Sequence, residues 1–346
     1  MSGSRRRRIN STEALARSLG LSRWTVSRVL NGHGGVSKKT EARVRALVRE
    51  SGFEPSLYAR TLRGGRTLTI GVCIQELDSP SLSKKVGRLQ ALFRKEGFRC
   101  LLELTGRNRV LEEQVLSRFL NLKVDGIVVI GSILSGNSPV FAELVQSGTP
   151  VSLVDPETDV DFPSVEVDRA GAMEKMLELL WKEQHRSFGL AGFDPEYPYS
   201  FQRLKGVELF LSRRKATKIW SLFEPGMVTH DYEYGERLGK MVLKEKKKPS
   251  AVVAVNDRVA IGLITHLRSA GVQIPGDLSV VGHDNLDVAS FTEPKLTTVD
   301  QNIHLLMQAA VNGIIDGIEK RGKVPVRQVI PTEIVIRHSH LRKVSQ

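Results

Sequence analysis

Cysteine is scarce: Cys73 and Cys100 are the only two in 346 residues, and no C-x-x-C occurs. A disulfide scaffold and a zinc ribbon are thereby excluded. No run of 18 or more apolar residues appears, so no membrane-spanning helix is expected. The N-terminal MSGSRRRRINS is basic but lacks the apolar stretch of a secretory leader, and a cytoplasmic location is expected. Phosphate-cradling G-x-x-x-x-G-K-[ST] and G-x-G-x-x-G loops are missing after the strands, as is a G-x-S-x-G nucleophile elbow. His283 and Asp284 are adjacent, with no third ligand at metal-binding spacing, so neither a metal nor another cofactor is expected. Without nucleophile, metal or phosphate loop, the chain does not read as an enzyme.

What is present is charge, and it is concentrated. Residues 1–66 carry 15 Lys and Arg against four acids, a net of +11, whereas the remaining 280 residues are nearly balanced at +2. A basic head on a near-neutral body points to a polyanion that meets the head alone. Arg5 to Arg8 read as a basic tail. Beyond them the pattern is helical. Ser11 caps a first helix with Leu15, Ala16 and Leu19 inward, closed by Gly20. Ser22 caps a second, where Val26, Val29 and Leu30 form one buried stripe and Arg23, Trp24, Ser27 and Arg28 lie opposite. Ser37 caps a third, with Val44, Leu47 and Val48 inward, ending at Ser51-Gly52. Two short helices about a tight Gly20 turn make a helix-turn-helix, whose second helix offers its N-terminal residues to the major groove of double-stranded DNA. Arginine suits guanine edges; Ser37, Lys38, Lys39 and Thr40, at a helix start, suit phosphates. The competing reading is a small helical bundle with a solvated basic face.

The segment EPSLYARTLRGG follows, with room for a helix of about seven residues between Pro55 and Gly64, too short to be stable in isolation. Either it is a plain linker, or it folds when docked, with Tyr58, Ala59 and Leu62 available and a leucine able to wedge between base steps in the minor groove.

From residue 67 buried-strand runs alternate with amphipathic helices. Strands are expected at 68–74, 98–104, 126–131, 150–155, 187–193, 250–257 and 278–284. This rhythm predicts an α/β class with parallel sheets, and its length predicts two subdomains. Ligands of such sheets bind beyond the strand carboxyl ends, where Asp155, Asn256, Asp257, His283, Asp284 and Asn285 stand. These short polar groups suit a polyol or another polar small molecule. Asp257 reads as a helix cap; for Asp155 and Asp284, ligand and turn residue fit equally. Cys73, inside an apolar strand, reads as a packed core thiol.

The segments SRWTVSRVLNG, VSKKT and GFEPSLYARTLRGGRTLTIGV resemble the DNA-binding head and hinge of the lactose repressor/galactose repressor family. VDGIVVIG, PVSLVD, AVNDRVAIG, IPGDLSVVGHDN and PKLTTVDQN are similar to its effector-binding core. The resemblance spans residues 9–338. It implies a helix-turn-helix domain over 9–54, a hinge helix over 55–66 and a periplasmic-binding-protein-like core over 67–342. Within the core it implies an N-subdomain of about 67–166 and 301–330 and a C-subdomain of about 167–300 and 331–342. The expected function is a transcriptional regulator, a repressor, that binds a near-palindromic operator as a homodimer under allosteric control by a sugar-like effector. Position by position it assigns Arg23, Trp24 and Arg28 to bases and Ser11, Ser37 and Thr40 to phosphates. Leu62, beside Ala59, is assigned to the minor groove, and Asp155, Arg203, Asn256, Asp284 and Gln301 to the effector. Ser81 and Leu82 stand where the family often carries paired aromatics, and His283 replaces an aromatic. No leucine heptad follows TEIVIRHS, so a dimer is expected and not a coiled-coil tetramer.

A transport-type sugar-binding protein would share such a core but not the basic helix-turn-helix. The hinge carries the first prediction. Amides of Leu57–Leu62 should exchange rapidly in the free protein and become protected on operator DNA; strong protection without DNA would exclude folding on docking.

Overall fold

The computed structural model describes residues 9, 11–30, 34–53, 66–196, 198–214, 217–226, 230–321 and 326–341. Two compact units divide the chain at Thr67/Leu68. The hinge positions Ala59 and Leu62 lie outside the described residues.

The first unit holds three helices: α1 (Thr12–Leu19), α2 (Arg23–Leu30) and α3 (Lys38–Ser51). Each start is fixed by a serine. Ser11, Ser22 and Ser37 accept from the backbone N–H of Ala14, Thr25 and Thr40 at 3.0, 3.1 and 3.2 Å, satisfying donors that a helix leaves open. Gly20 ends α1 in the left-handed region at φ 64°, a conformation that favours glycine. The core is small: Leu15, Ala16, Val26, Val29, Val44 and Phe53. Phe53 joins it from beyond the end of α3, a contribution that helical periodicity does not reveal.

The second unit contains two parallel sheets. The first has the order β11-β5-β4-β3-β1-β2, formed by β1 (Thr69–Ile74), β2 (Arg99–Leu104), β3 (Gly126–Ile130), β4 (Val151–Val154), β5 (Ser164–Val167) and β11 (Arg327–Ile330). Its helices are α4 (Pro80–Lys95), α5 (Arg109–Asn121), α6 (Pro139–Ser147) and α11 (Ile303–Glu319). Leu306, Met307, Ala310, Val311 and Ile314 of α11 pack with Ile70, Val128 and Val154 of that sheet. The second sheet has the order β7-β6-β8-β9, from β6 (Ser187–Ala191), β7 (Lys218–Leu222), β8 (Ala251–Ala254) and β9 (Ser279–Val281). Around it stand α7 (Arg169–Lys182), α8 (Pro198–Ser212), α9 (Tyr232–Lys244) and α10 (Asp257–Ser269). An antiparallel pair, β10 (Thr298–Asp300) with β12 (Glu333–Val335), completes the strands.

The chain passes between these lobes three times: from β5 into α7, from β10 into α11, and from β11 into β12. The passages are tied together. Asp168 N donates to Ile330 O at 2.9 Å, and Asn302 Nδ2 to Pro331 O at 2.9 Å. Cys73 is buried in β1, and burial pushes its thiol far above the usual range, in keeping with a core role. Strands β5, β7, β10 and β11 were absent from the sequence expectation; they are short and lie at sheet edges or in the passages.

Glycines let α9 and α10 approach closely. A Cβ on Gly262 would stand 1.9 Å from Tyr232 O, and one on Gly235 would stand 2.3 Å from Val259 O. Backbone oxygens cannot step aside as a side chain can. Gly262→Ala should therefore lower stability by about 1–3 kcal/mol, measured by chemical denaturation. A neutral effect would mean that the helices separate without cost.

Candidate functional site

Two surfaces concern function. On the first unit, Arg23 and Trp24 open α2 and are exposed, Trp24 to 62%. An indole so exposed, on a helix whose opposite face carries the core, is free to meet a partner. The Arg28 guanidinium lies 4.8 Å from the Trp24 ring centroid, within cation–π range, while its Nε donates to Gly34 O at 2.8 Å. Thus Arg28 is held by the loop before α3 and by the neighbouring indole. Lys38 and Lys39 are exposed in the first turn of α3. Ser11 and Ser37 use their hydroxyl oxygens as caps, leaving positive helix N-termini where phosphates bind favourably.

The second surface is a cleft of about 480 Å³ between the two lobes of the core. One wall comes from Gln75, Ser81, Leu82, Lys85 and Arg107; the other from Arg203, His230, Asn256, Arg258 and Asp284, with Arg169 and Gln301 from the passages. Ser81, Leu82, Arg203, Asn256, Asp284 and Gln301, expected from the sequence, thus come together. Asp155 stands behind the lining. Its Oδ2 accepts from Lys85 Nζ at 2.7 Å, and its Oδ1 from Arg169 Nη1 and Val167 N, both at 2.9 Å. Burial opposes its charge, yet Arg169 and Lys85 hold the carboxyl well below the usual carboxylate range. Asp155 thereby positions two cations of the cleft.

On the opposite wall Arg203 donates from Nη1 to Val255 O at 2.8 Å. His283 Nδ1 lies 3.0 Å from Asp284 Oδ1, which also accepts from Gln301 Nε2. Burial and then Arg203 push His283 down to about 4, so the ring is neutral and its Nδ1–H is the donor to Asp284. Burial and the same arginine lower His230, on the wall, to about 4 as well. Asp155 and Asp284, just past the ends of β4 and β9, adopt φ 50° and 115°, sparsely populated for side-chain-bearing residues. Lys84 Nζ of α4 meets Asp287 Oδ1 at 2.8 Å, an exposed pair of small energetic weight.

Asn256 lines the cleft but is also satisfied within the fold: Oδ1 caps α10 through Val259 N at 2.8 Å, and Nδ2 donates to His230 O at 2.9 Å. This corrects the cap expected at Asp257, because the helix begins one residue earlier. Asp257 is buried instead and accepts from Leu286 N at 2.7 Å and Thr298 Oγ1 at 2.5 Å. Among residues missed from sequence, Lys85 left a signal: with Ser81 and Leu89 it falls on the buried stripe of α4, where a lysine needs a reason. Arg107 and Arg169, in a turn and at a helix start, left none.

Among the described residues no cluster of His, Cys, Asp or Glu could hold a metal ion, and no helix is long and apolar enough to cross a membrane.

A basic helix-turn-helix ahead of a two-lobed α/β core with a polar cleft defines a DNA-binding regulator with a ligand-binding module. Residues 14–56 match the model of bacterial regulatory proteins of the lacI family, and residues 177–340 match a periplasmic binding protein-like domain. The chain is 28% identical over 344 residues to the HTH-type transcriptional regulator CelR of Thermobifida fusca, covering 96% of this chain and 99% of that protein. Its fold matches the lac repressor dimer bound to operator and an anti-inducer, with TM-score 0.84 at 24% identity over 95% of this chain and 98% of the other. It also matches a CelR–cellobiose complex, with TM-score 0.67 at 24% identity over 95% and 99%. The chain thus joins a lacI-family DNA-binding head to a periplasmic-binding-protein-like domain, the make-up of the transcriptional regulators it is similar to.

Two predictions follow from these surfaces. Arg28→Ala should cost about 1–3 kcal/mol on the preferred operator and relax one base position, whereas Lys39→Ala should weaken all sequences alike. Selection from a random DNA pool checks both, and an unchanged motif for Arg28→Ala would remove Arg28 from base reading. For Asp257, burial and then the Asp284 carboxylate raise the carboxyl from 3.8 to about 8. Above pH 3.8 the unfolded chain ionises while the folded chain does not, so stability falls as pH rises toward 8. Asp257→Asn, which can accept from Leu286 N and donate to Thr298 Oγ1, removes that slope. Its melting temperature should gain on the parent between pH 5 and 8; parallel pH profiles would refute a neutral Asp257.

Proposed function

We propose that this regulator is a repressor, not an enzyme, acting in the cytoplasm as a homodimer on a near-palindromic operator. A small polar, sugar-like effector controls it from the cleft. The working division is a reading head over 9–54, a hinge over 55–66 and an effector core over 67–342, its N-subdomain about 67–166 and 301–330 and its C-subdomain about 167–300 and 331–342. Arg23, Trp24 and Arg28 would read bases. Ser11, Ser37, Lys38, Lys39 and Thr40 would meet the backbone, and Ala59 and Leu62 the minor groove. Ser81, Leu82, Arg203, Asn256, Asp284 and Gln301 would contact effector, while Asp155 orients Lys85 and Arg169.

The observation that carries this reading is that both lobes line the cleft. A ligand touching both stabilises one orientation of the lobes by its differential affinity for the two states. The lobes meet through three chain passages, whose φ/ψ changes can absorb such a shift. Coupling to DNA through the hinge would then amount to roughly 1–3 kcal/mol. A CelR–cellobiose complex and a lac repressor–operator complex, both similar to this chain in fold, are the models for an effector in the core and DNA at the head.

The test is a DNA titration. Operator affinity should fall steeply with salt, as counterions leave the phosphates; a flat dependence would exclude the regulator reading. With a ligand found by thermal shift over a sugar panel, Arg203→Ala and Asp284→Ala should lose the ligand response but keep ligand-free DNA binding. A full response retained by both variants would move the effector site elsewhere.

A further inference from the structure

The charges gathered about the cleft do not balance. Lys85, Arg107, Arg169 and Arg203 face Asp155, Glu157 and Asp284, four cations against three carboxylates. Arg107 and Glu157 neutralise each other as a bidentate pair at 2.7 Å on both arms. Asp155 serves Lys85 and Arg169 together. Arg203 helps to hold the Asp284 carboxyl down, and the sum over these groups is one positive charge. The two histidines add none, since burial keeps both rings neutral. Asp257 and Glu112, buried outside the lining, are pushed toward their neutral forms by burial. At the mouth Arg258 and Asp231 are half-buried and offset each other, while Glu76 and Asp78 stand in solvent, where water and salt screen them.

A cleft whose named groups sum to a net positive charge is complementary to an anion. A second feature points to the same ligand. Gln301 is 5% exposed and lines the cleft; its Nε2 is engaged by Asp284, and its Oε1 has no hydrogen-bond partner. A buried amide oxygen so placed calls for an O–H or N–H donor. The cations and Gln301 converge on one cavity of about 480 Å³, room for a ligand of sugar size.

Building on the reading of this cleft as the effector site, we propose that it takes a hydroxylated monocarboxylate of the sugar-acid class. The carboxylate lies against Arg203 and Lys85, and a hydroxyl donates to Gln301 Oε1. An excess of one charge favours a monoanion over a neutral sugar and over a dianionic sugar phosphate.

Calorimetric titration of the full chain tests this with gluconate, galactonate, glucuronate and galacturonate against glucose, galactose, cellobiose and glucose 6-phosphate. At least one acid should bind about tenfold or more tightly than its neutral counterpart and than the phosphate. Arg203→Gln should remove that preference, and Arg203→Lys should retain most of it. Lys85→Gln, which takes the same charge from the opposite wall, should also remove it and guards against misfolding of a single variant. Failure of every acid, equal binding of the neutral sugars, tighter binding of the phosphate, or a preference that survives both charge-removing variants would each overturn the proposal. A neutral sugar whose binding is lost in Asp284→Ala would overturn the anion alone and leave the cleft as the effector site.

Discussion

The Asp155 carboxylate is the constraint on which the cleft depends. It sits at the end of β4, accepts from Lys85 on α4, and accepts from Arg169 at the first passage into the other lobe. One buried anion thus fixes a helix of the first lobe, the end of its central sheet and the start of α7. Replacing such a cluster by apolar residues of equal volume often costs a protein no stability; removing one partner leaves a buried charge unmatched. Its place in this fold follows from the job of holding two long cations rigid. Lysine and arginine lose much rotamer freedom when ordered, and a carboxylate that orders both in advance spares a ligand that cost.

The opposite wall is held by hydrogen bonds in the same way. His283 is a neutral donor to Asp284, and Gln301 closes the other side of that carboxylate. Arg203 is anchored to the carbonyl of Val255 at the end of β8. Arg203, Asp284 and the Gln301 amide nitrogen are each held by backbone or by another side chain, which preorganises this part of the wall. The strained φ values at Asp155 and Asp284 fit this picture, for they persist where surrounding bonds over-determine the backbone.

Much of this was legible in the sequence. Three serine-capped helices, the buried stripe Val26, Val29 and Leu30, and the main strand–helix alternation are periodic features, and periodicity survives in a single chain. The strand-end residues Asn256 and Asp284 were legible because parallel sheets place ligands there. Arg107 and Arg169 were not, since nothing local distinguishes a cleft arginine from a surface one. The role of Asp155 was half legible: its position identified it, but its partners are separated from it by chain that only the fold brings back. Gln301 needed the tertiary structure as well, because its unpartnered oxygen is a property of what surrounds it and not of its neighbours in sequence.

The threefold passage between lobes has a consequence for biosynthesis. Strand β11 joins the first sheet beside β5, pairing Arg327 with Ser164, and α11 packs against the same sheet. While the chain emerges from the ribosome, the first lobe therefore lacks its edge strand and a large part of its apolar cover until the second lobe has been made. The N-terminal head, built entirely from local contacts, is under no such delay and can fold as soon as it emerges. A nascent regulator of this design acquires its reading module early and its sensing module late.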